Sequence, residues 1–338
     1  MRPRFHAELV NGAFGDPVLF VDFRFEKRAL LFDLGDLKAL PPRKILRVSD
    51  VFVSHAHMDH FIGFDWLLRI CLGRERRMRL FGPLGFLDQV EHKLRAYTWN
   101  LVENYATDFS LHVCEVPLDG SGRQALFRCR AAFRREQEAA FAPAEGVLLD
   151  EQGFQVRSTY LDHKTPCLAF ALEEQQHVNV WKSRLAALGL PTGAWLQTLK
   201  RAVLAQLPDD TPIRAWWRNH DQTREHVLAL GELKREAIRI VPGQKIAYVT
   251  DAAYHPTNAA RITDIARDAD LLFIEAAFLD AQAPRAAAKF HLTARQAGEL
   301  ARGAGAKLVI PFHFSPVHHG EVQQIRAELA AAFGGAVS

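Results

Sequence analysis

Residues 48–60 read VSDVFVSHAHMDH, an apolar run followed directly by four potential metal ligands. The run before His55 predicts a β-strand, because it is short and rich in β-branched and aromatic residues. His55 and His57 are two positions apart in an extended segment, so their side chains project to the same side. Asp59 and His60 follow at the turn into a predicted helix. Imidazole and carboxylate groups are ligands that zinc takes in proteins, so the stretch predicts a metal site.

Two metal ions explain this motif better than one, because a single ion held by four adjacent ligands would keep no open position. His55 and His57 would hold one ion, and Asp59 and His60 the other. Two-metal hydrolytic sites hold their ions roughly 3.5–4 Å apart, which suits ligands this close in sequence. The alternative is a chance histidine cluster on a solvated turn, but four ligands straight after an apolar strand make a specific signal.

Other predicted strands also end abruptly in a histidine or an aspartate. The strand over residues 245–250 precedes Asp251, and the strand over residues 307–312 precedes His313. His163 follows another predicted strand, although less clearly. Loops at strand ends, held by a rigid sheet, are where functional sites are usually built.

The wider pattern predicts strands near both ends of the chain with helices between them. Residues 17–25 and 28–34 resemble a hairpin, and a helix is expected from His60 to about residue 73. Residues 173–207 predict one or two amphipathic helices around a Gly-Leu-Pro-Thr-Gly break. This order favours an α/β fold (α+β, four layers) with two sheets covered by helices.

Composition sets broad limits on function. The chain has 338 residues and a formal net charge of +3, which permits a polyanionic substrate without indicating a dedicated nucleic-acid binder. None of the four cysteines lies in a CxxC pair, so a cysteine zinc site is not expected. No apolar run is long enough to cross a membrane, and the N-terminus lacks the apolar region of a signal peptide, so we expect a cytoplasmic protein with no membrane partner.

The HxHxDH motif after a strand resembles the hallmark of the metallo-β-lactamase superfamily. Further segments resemble ribonuclease Z, a transfer-RNA 3′-processing endonuclease, in order and spacing over roughly residues 10 to 318. These segments are YLDHKTPCLAF (160–170), YVTDA (248–252), LFIEAAF (272–278), FHLTA (290–294) and IPFHFS (310–315).

The resemblance implies a metallo-β-lactamase αββα sandwich, with residues 1–338 forming a single domain. It also implies a substrate-binding arm or insertion around residues 174–243. Two zinc ions per chain are implied, although manganese or iron fits the same nitrogen and oxygen ligands. The implied ligands are His55, His57 and His163 for one ion, Asp59, His60 and His313 for the other, and Asp251 as the bridge.

The same resemblance implies roles in catalysis. Asp59 would both bind metal and orient the attacking hydroxide, and His291 is the candidate general acid for the leaving oxygen. Glu275 would fix the tautomer of His291, or else form a plain ion pair at a strand end. Asp33 would accept a hydrogen bond from a ligand histidine, or else cap a turn. His318 and His319 are expected at the rim of the site or on the surface.

The expected activity is that of a zinc-dependent phosphodiesterase that trims the 3′ end of precursor transfer RNA. The alternative is a hydrolase of a small phosphodiester or another ester, because residues 188–196 match the family's arm only in part. A third reading is a non-enzymatic metal-dependent scaffold, which the near-complete ligand set disfavours. The partners implied are transfer RNA or another RNA and a second copy of the chain, as a homodimer.

Two surface features bear on RNA binding. Arginines recur at positions 69, 74, 76, 77, 79, 134 and 135, and they would either bind phosphates or form a solvated face. Trp216 and Trp217 would either stack on a base or pack in the protein.

Overall fold

The computed structural model describes residues 3–24, 26–219 and 222–338. Phe25, the end of a predicted strand, and residues 220 and 221 of the predicted arm lie outside the described residues. No helix in the described part of the chain is long and apolar enough to span a membrane.

The strands, in chain order, are β1 (Phe5–Leu9), β2 (Leu19–Phe23), β3 (Ala29–Phe32), β4 (Val48–Phe52), β5 (Arg76–Gly82), β6 (Phe109–Glu115), β7 (Gly122–Arg128), β8 (Arg135–Phe141), β9 (Val147–Glu151), β10 (Phe154–Asp162), β11 (Pro166–Glu174), β12 (Gln176–Val180), β13 (Pro212–Asn219), β14 (Gln222–Ala229), β15 (Ile238–Pro242), β16 (Lys245–Val249), β17 (Leu271–Glu275), β18 (Leu308–Phe312) and β19 (Ala336–Val337).

The α-helices are α1 (Pro42–Ile45), α2 (Met58–Phe61), α3 (Phe64–Cys71), α4 (Phe86–Arg95), α5 (Lys182–Ala187), α6 (Trp195–Leu204), α7 (Leu230–Ala237), α8 (Pro256–Ile265), α9 (Ala283–Ala288), α10 (Ala294–Ala304) and α11 (Val322–Phe333).

Two large sheets form the centre of the fold. The first contains β1 to β8 in sequence order, and its middle strands β3 to β6 are parallel. The second has the order β19-β18-β17-β16-β11-β10-β9, with β16 to β19 parallel. Parallel strands end at the same edge of a sheet, so the residues that follow β4, β16 and β18 can meet at a shared site.

Aromatic side chains join the inner faces of the two sheets. Phe52 stacks between Phe32 and Phe81 in the first sheet, with ring centroids 5.1 and 5.0 Å away. Phe170 of β11 lies 5.8 Å from Phe52, and Tyr248 of β16 lies 5.9 Å from Phe32. Residues alternate sides along a strand, so the neighbours of Phe52, Val51 and Val53, instead join the core beneath the helices.

Helices cover both outer faces. The apolar sides of α3 and α4 pack on the first sheet, and those of α8, α10 and α11 pack on the second. These layers confirm the predicted αββα sandwich of the metallo-β-lactamase fold.

The chain divides into two compact units. The larger unit contains Pro3–Leu149, Val156–Leu172 and Lys245–Ser338. The smaller, called here the inserted unit, contains Asp150–Gln155 and Glu173–Gln244. Within it, β12 pairs with β15, β13 with β14, and α6 and α7 bury their apolar sides around Trp195.

Two helix predictions need correction. Residues 173–207 are not helical throughout, because residues 176–180 form β12, where Val178 and Val180 pair with β15 before α5 and α6 begin. The helix predicted from His60 is broken between α2 and α3. A Cβ atom on Gly63 would lie 2.1 Å from the carbonyl oxygen of Gly35, so glycine is required where these two backbone segments meet.

Candidate metal centre and active site

The predicted ligands converge at the ends of strands from both sheets. His55 and His57 follow β4, Asp251 follows β16, His313 follows β18, and His163 lies between β10 and β11. His313 adopts a φ of 57°, a left-handed conformation that is uncommon outside glycine and that turns its side chain away from the strand direction.

Four of these residues form a first group. His55, His57, His163 and Asp251 each offer one donor atom, and these four atoms lie within 4.8 Å of one another. Oδ2 of Asp251 lies 3.3 Å from Nε2 of His163 and 3.7 Å from Nε2 of His55. The group could hold one metal ion.

Asp59, His60 and His313 form a second group, whose donor atoms also lie within 4.8 Å of one another. Oδ2 of Asp59 lies 3.5 Å from Nε2 of His60 and 3.3 Å from Nε2 of His313. Asp251 also borders this group, with its Oδ2 3.5 Å from Nε2 of His60 and its Oδ1 3.0 Å from Nδ1 of His313. One carboxylate therefore lies between the two groups.

The donor atoms have the spacing and chemistry that metal ions require. Ligands about 2.0–2.1 Å from a tetrahedral zinc ion lie roughly 3.3 Å apart, close to most of these separations. Among the described residues, the buried atoms Nε2 of His55, Nε2 of His60 and Nδ1 of His313 have no hydrogen-bond partner. Buried polar atoms without partners are costly, and cations at the two groups would satisfy them.

Burial and neighbouring charges set the protonation of the ligands. Burial, helped by the nearby charge of His60, lowers the pKa of His55 to about 2, so its imidazole is neutral. Burial also opposes a charge on His60, but the carboxylates of Asp251 and Asp33 outweigh it and raise the pKa of His60 to about 10. Burial disfavours a charge on Asp251, but His313 and His60 hold the pKa of this carboxyl well below its usual value. Asp251 is therefore an anion between the two groups.

Asp33 fixes the ligand loop from behind. Its buried carboxylate accepts hydrogen bonds from the backbone N–H of Ser54 at 2.6 Å and from the Ser54 hydroxyl at 2.9 Å. It also accepts from Nδ1 of His60 at 2.8 Å and from the Tyr248 hydroxyl at 2.9 Å. The bond to Nδ1 sets the tautomer of His60 and directs Nε2 towards the second group.

His291 and Glu275 form a hydrogen-bonded pair beside both groups. Nδ1 of His291 donates to Oε2 of Glu275 at 2.8 Å, and its ring lies 4.9 Å from that of His163 and 5.6 Å from that of His313. The other oxygen of Glu275 accepts hydrogen bonds from the backbone N–H groups of Ala252 and Leu292. Glu275 is thus held from three sides, and Nε2 of His291 is left to carry a second proton.

The charge of Glu275 controls that proton. Burial lowers the pKa of His291, but the attraction and hydrogen bond of Glu275 outweigh it, so the pKa is raised above its ordinary value. Burial likewise opposes ionisation of Glu275, but the charge of His291 and its hydrogen bond hold the pKa of Glu275 below normal. A protonated imidazole beside a metal site is suited to protonate a leaving oxygen.

Sequence reasoning missed the residue that ties two ligand loops together. The buried Asn258 side chain accepts from the backbone N–H of Asp162 at 3.0 Å and donates to the carbonyls of Asp162 and Ala253 at 2.9 and 2.8 Å. These residues adjoin His163 and Asp251. An asparagine in a helix carries no sequence signal for this role, because its partner Asp162 is 96 positions away.

The structure also bears on the predictions made for His318, His319, the arginines and the tryptophan pair. His318 is fully buried and hydrogen-bonded to Glu321, so its expected rim or surface position is wrong, whereas His319 is exposed. Arg76, Arg79 and Arg135 are engaged within the protein, Arg76 with backbone carbonyls of residues 46 and 48 and the other two with carboxylates. Trp216 is 42% exposed, whereas Trp217 packs at the edge of the inserted unit's core.

This fold and this constellation of histidines and carboxylates define a metallo-β-lactamase-fold hydrolase. The family model described as "Beta-lactamase superfamily domain" matches residues 212–314. Among solved structures, the fold is similar to YhfI of Bacillus subtilis (TM-score 0.54, 15% identity, covering 97% of this chain and 93% of that one). It is also similar to the short form of human tRNase Z (TM-score 0.51, 17% identity, covering 93% and 91%).

Proteins of similar sequence identify the family within this class of hydrolases. The chain is 30% identical over 292 residues to ribonuclease BN of Cronobacter sakazakii, covering 85% of this chain and 78% of that protein. It is 29% identical over 295 residues to ribonuclease Z of Deinococcus radiodurans, covering 85% and 82%. The chain belongs to the ribonuclease Z/BN family of metal-dependent hydrolases.

Proposed function

We propose that the protein is a two-zinc endoribonuclease that cleaves the 3′ trailer from precursor transfer RNA. The observation that carries this proposal is the His291–Glu275 pair beside two ligand groups, one containing Asp251 and the other bordered by it. The names of the relatives supply the substrate class. The geometry supports phosphodiester hydrolysis, because it places a candidate acid next to the centre that would activate water.

In this proposal His55, His57 and His163 hold one zinc ion, Asp59, His60 and His313 hold the other, and Asp251 contacts both. Bound zinc ions lower the pKa of a water molecule and stabilise negative charge on a phosphoryl oxygen. Asp59, at the edge of the second group and 43% exposed at its side chain, orients the attacking water. His291 gives its Nε2 proton to the leaving oxygen, while Glu275 keeps Nδ1 protonated and stabilises the imidazolium.

The test uses a precursor transfer RNA with a 3′ trailer and zinc-loaded protein. We expect one cut at the trailer junction, and a fall in kcat of about 10²- to 10⁴-fold in His291→Ala, as is typical for loss of a general acid. His92→Ala, an exposed histidine on α4, is the matched control and should retain full activity. Elemental analysis should find about two zinc ions per chain, and manganese or iron in freshly purified protein would revise the metal.

A second substrate distinguishes the proposed endoribonuclease from the main alternative, a hydrolase of small phosphodiesters. Bis(p-nitrophenyl) phosphate has an activated leaving group that needs little protonation, so His291→Ala should impair its hydrolysis much less than RNA cleavage. Turnover of this diester without any RNA cleavage would assign the protein to small phosphodiesters. No hydrolysis of either substrate would refute the phosphodiesterase assignment.

We further propose that the inserted unit contacts the RNA outside the cleavage site. The guanidinium carbon of Arg184 lies 4.7 Å from the ring centre of Trp181, which is 42% exposed, and Lys182 is exposed beside it. A cation next to an exposed indole suits a phosphate and a base. Replacing Lys182 and Arg184 with alanine should raise KM for precursor transfer RNA but not for the small diester. It should also reduce the salt slope of RNA binding by about 1.4–1.8, the equivalent of two phosphate contacts.

We propose a homodimer in the cytoplasm as the working state, as the family resemblance implies. Ile62, Trp66 and Tyr97 are 46%, 39% and 45% exposed around an apolar cavity of about 620 Å³ on the larger unit. An apolar patch of this kind suits burial against a second copy. Light scattering should report a molar mass twice that of one chain, and Trp66→Glu should reduce it to the mass of a single chain. A wild-type protein that stays monomeric at micromolar concentration would refute the dimer.

A further inference from the structure

A cavity of about 290 Å³ opens directly beside the candidate site. One wall consists of Asp59, His291 and His313. Of the described residues, His55, His57 and His163 do not line it. The cavity therefore borders the second ligand group and the candidate acid, but not the first group.

The remaining walls are mainly apolar and include three aromatic rings. Phe14, Phe278 and Phe314 face the cavity together with two prolines, and Phe14 meets Phe314 edge to face with ring centroids 5.4 Å apart. His319 stacks on Phe14 at 4.3 Å. The polar groups on these walls are the Asp16 carboxylate, the Lys289 ammonium group and the Ser315 hydroxyl.

The loop that carries Phe14 is held in place before any ligand arrives. The backbone N–H of Phe314 donates to the carbonyl of Ala13 at 2.8 Å. The Asn11 amide donates to the carbonyls of Asp16 and Asp36, both at 2.8 Å. A Cβ on Gly15 would lie 2.5 Å from that of Asn11, so glycine permits this close turn. A pre-formed wall costs less ordering on binding.

The occupant follows from the position of the acid. In hydrolysis a hydroxide oxygen bonds to phosphorus, the bond from phosphorus to the leaving oxygen breaks, and that oxygen takes the proton of His291. The group that departs must therefore extend past His291, which lines this cavity. Its volume suits one ring-bearing group, and flat aromatic walls suit a base.

We propose that this cavity binds the nucleoside on the leaving-oxygen side of the cleaved phosphodiester, with its base stacked against Phe14. The inference rests on the proposed function, because His291 defines which side departs. Lys289, at the cavity wall, contacts the adjoining phosphate. Recognition by this cavity therefore acts on the nucleoside at the leaving side of the cut.

The first test uses two versions of the RNA substrate, each with an abasic site on one side of the scissile bond. Base stacking on an aromatic side chain contributes about 1–3 kcal/mol, so loss of the base on the leaving side should lower kcat/KM by about tenfold or more. Loss of the base on the other side should have little effect. Phe14→Ala should abolish this difference, Phe14→Tyr should keep it, and Tyr105→Ala, an exposed aromatic outside the cavity, should leave it unchanged.

The second test does not require RNA cleavage. Titration calorimetry on zinc-loaded protein should show adenosine monophosphate binding about tenfold more tightly than ribose 5-phosphate, and Phe14→Ala should remove the difference. This result without any RNA cleavage would keep the nucleoside pocket and refute the proposed endonuclease. RNA cleavage that ignores the leaving-side base, with equal binding of the two phosphates, would refute the pocket alone. Phe14→Leu retains apolar packing and distinguishes loss of stacking from loss of folding.

Discussion

Replacing Asp33 with asparagine should weaken metal binding while leaving the fold intact. The carboxylate accepts four hydrogen bonds in a fully buried position, from Ser54 twice, from His60 and from Tyr248. An asparagine fits the φ of 60° at this position and has nearly the same shape. However, one carboxylate oxygen becomes an amide donor, so at least one N–H or O–H donor faces another donor whichever way the amide turns.

The expected cost follows from these bonds. A buried donor that loses its acceptor costs about 1–3 kcal/mol, and bonds to a charged group lie at the upper end, so we expect a loss of about 2–4 kcal/mol in unfolding free energy. Residues that orient a metal ligand change metal affinity by about 10- to 100-fold when replaced. Since Asp33 bonds to Nδ1 of His60, the loss should fall mainly on the second ion.

The assay combines zinc titration of metal-free protein with denaturant unfolding. Glu115→Gln is the matched control, because Glu115 is a buried carboxylate that bonds to Arg123 and has no contact with the ligand residues. It should lower stability and leave zinc affinity unchanged. If Asp33→Asn binds both ions with wild-type affinity, Asp33 does not orient His60, and the reasoning fails.

Three further predictions concern other parts of the larger unit. Glu275→Gln should lower kcat for RNA by about 10- to 100-fold with little change in KM, because a neutral amide no longer stabilises the imidazolium of His291; single-turnover rates would check this. Asn258→Ala should reduce zinc affinity and destabilise the protein by about 2–4 kcal/mol, since three hydrogen bonds to backbone groups are lost, whereas Asn258→Asp should keep one bond and recover part of the loss in both titrations. Phe52→Ala should cost about 3–5 kcal/mol in denaturant unfolding, because it empties the aromatic contact between the sheets without touching a ligand.

The ligand motif could be read from the sequence because four of its members are adjacent. The apolar run predicts a strand, and the HxHxDH motif directly after it predicts a metal site. Both predictions depend only on neighbouring residues, so neither requires knowledge of the fold. The resemblance then named His163, Asp251 and His313, and the structure brings them to the same place. Their roles as ligands remain a prediction that metal analysis must test.

Residues that hold the ligand residues in place through hydrogen bonds were harder to identify from the sequence. Tyr248 reaches Asp33 across 215 positions, and Asn258 joins loops that are distant in sequence. Side chains of this type act through hydrogen bonds that exist only once the sheets have assembled. Asp33 itself was predicted, but only because its segment resembled the family.

Two sheets covered by helices could be predicted from the order of the strand and helix patterns. The strands inside the inserted unit could not. Its β13–β14 hairpin was not predicted, because exposed polar residues alternate with few apolar ones along β14. Similarly, β12 was assigned to a helix since its pairing partner, β15, is some sixty residues away. Local propensity is weak where a strand depends on a distant neighbour.

The two ends of the longer segment of the inserted unit, Glu173–Gln244, meet. The backbone N–H of Glu174 donates to the carbonyl of Gln244 at 2.9 Å, and β11 and β16, which flank the unit in sequence, are neighbours in the second sheet. Some seventy residues thus leave and rejoin the chain at almost one point, and a tight turn could close the gap in their absence. Such a junction makes this segment a replaceable module. It could be exchanged while the sheets and the candidate ligand residues stay as they are.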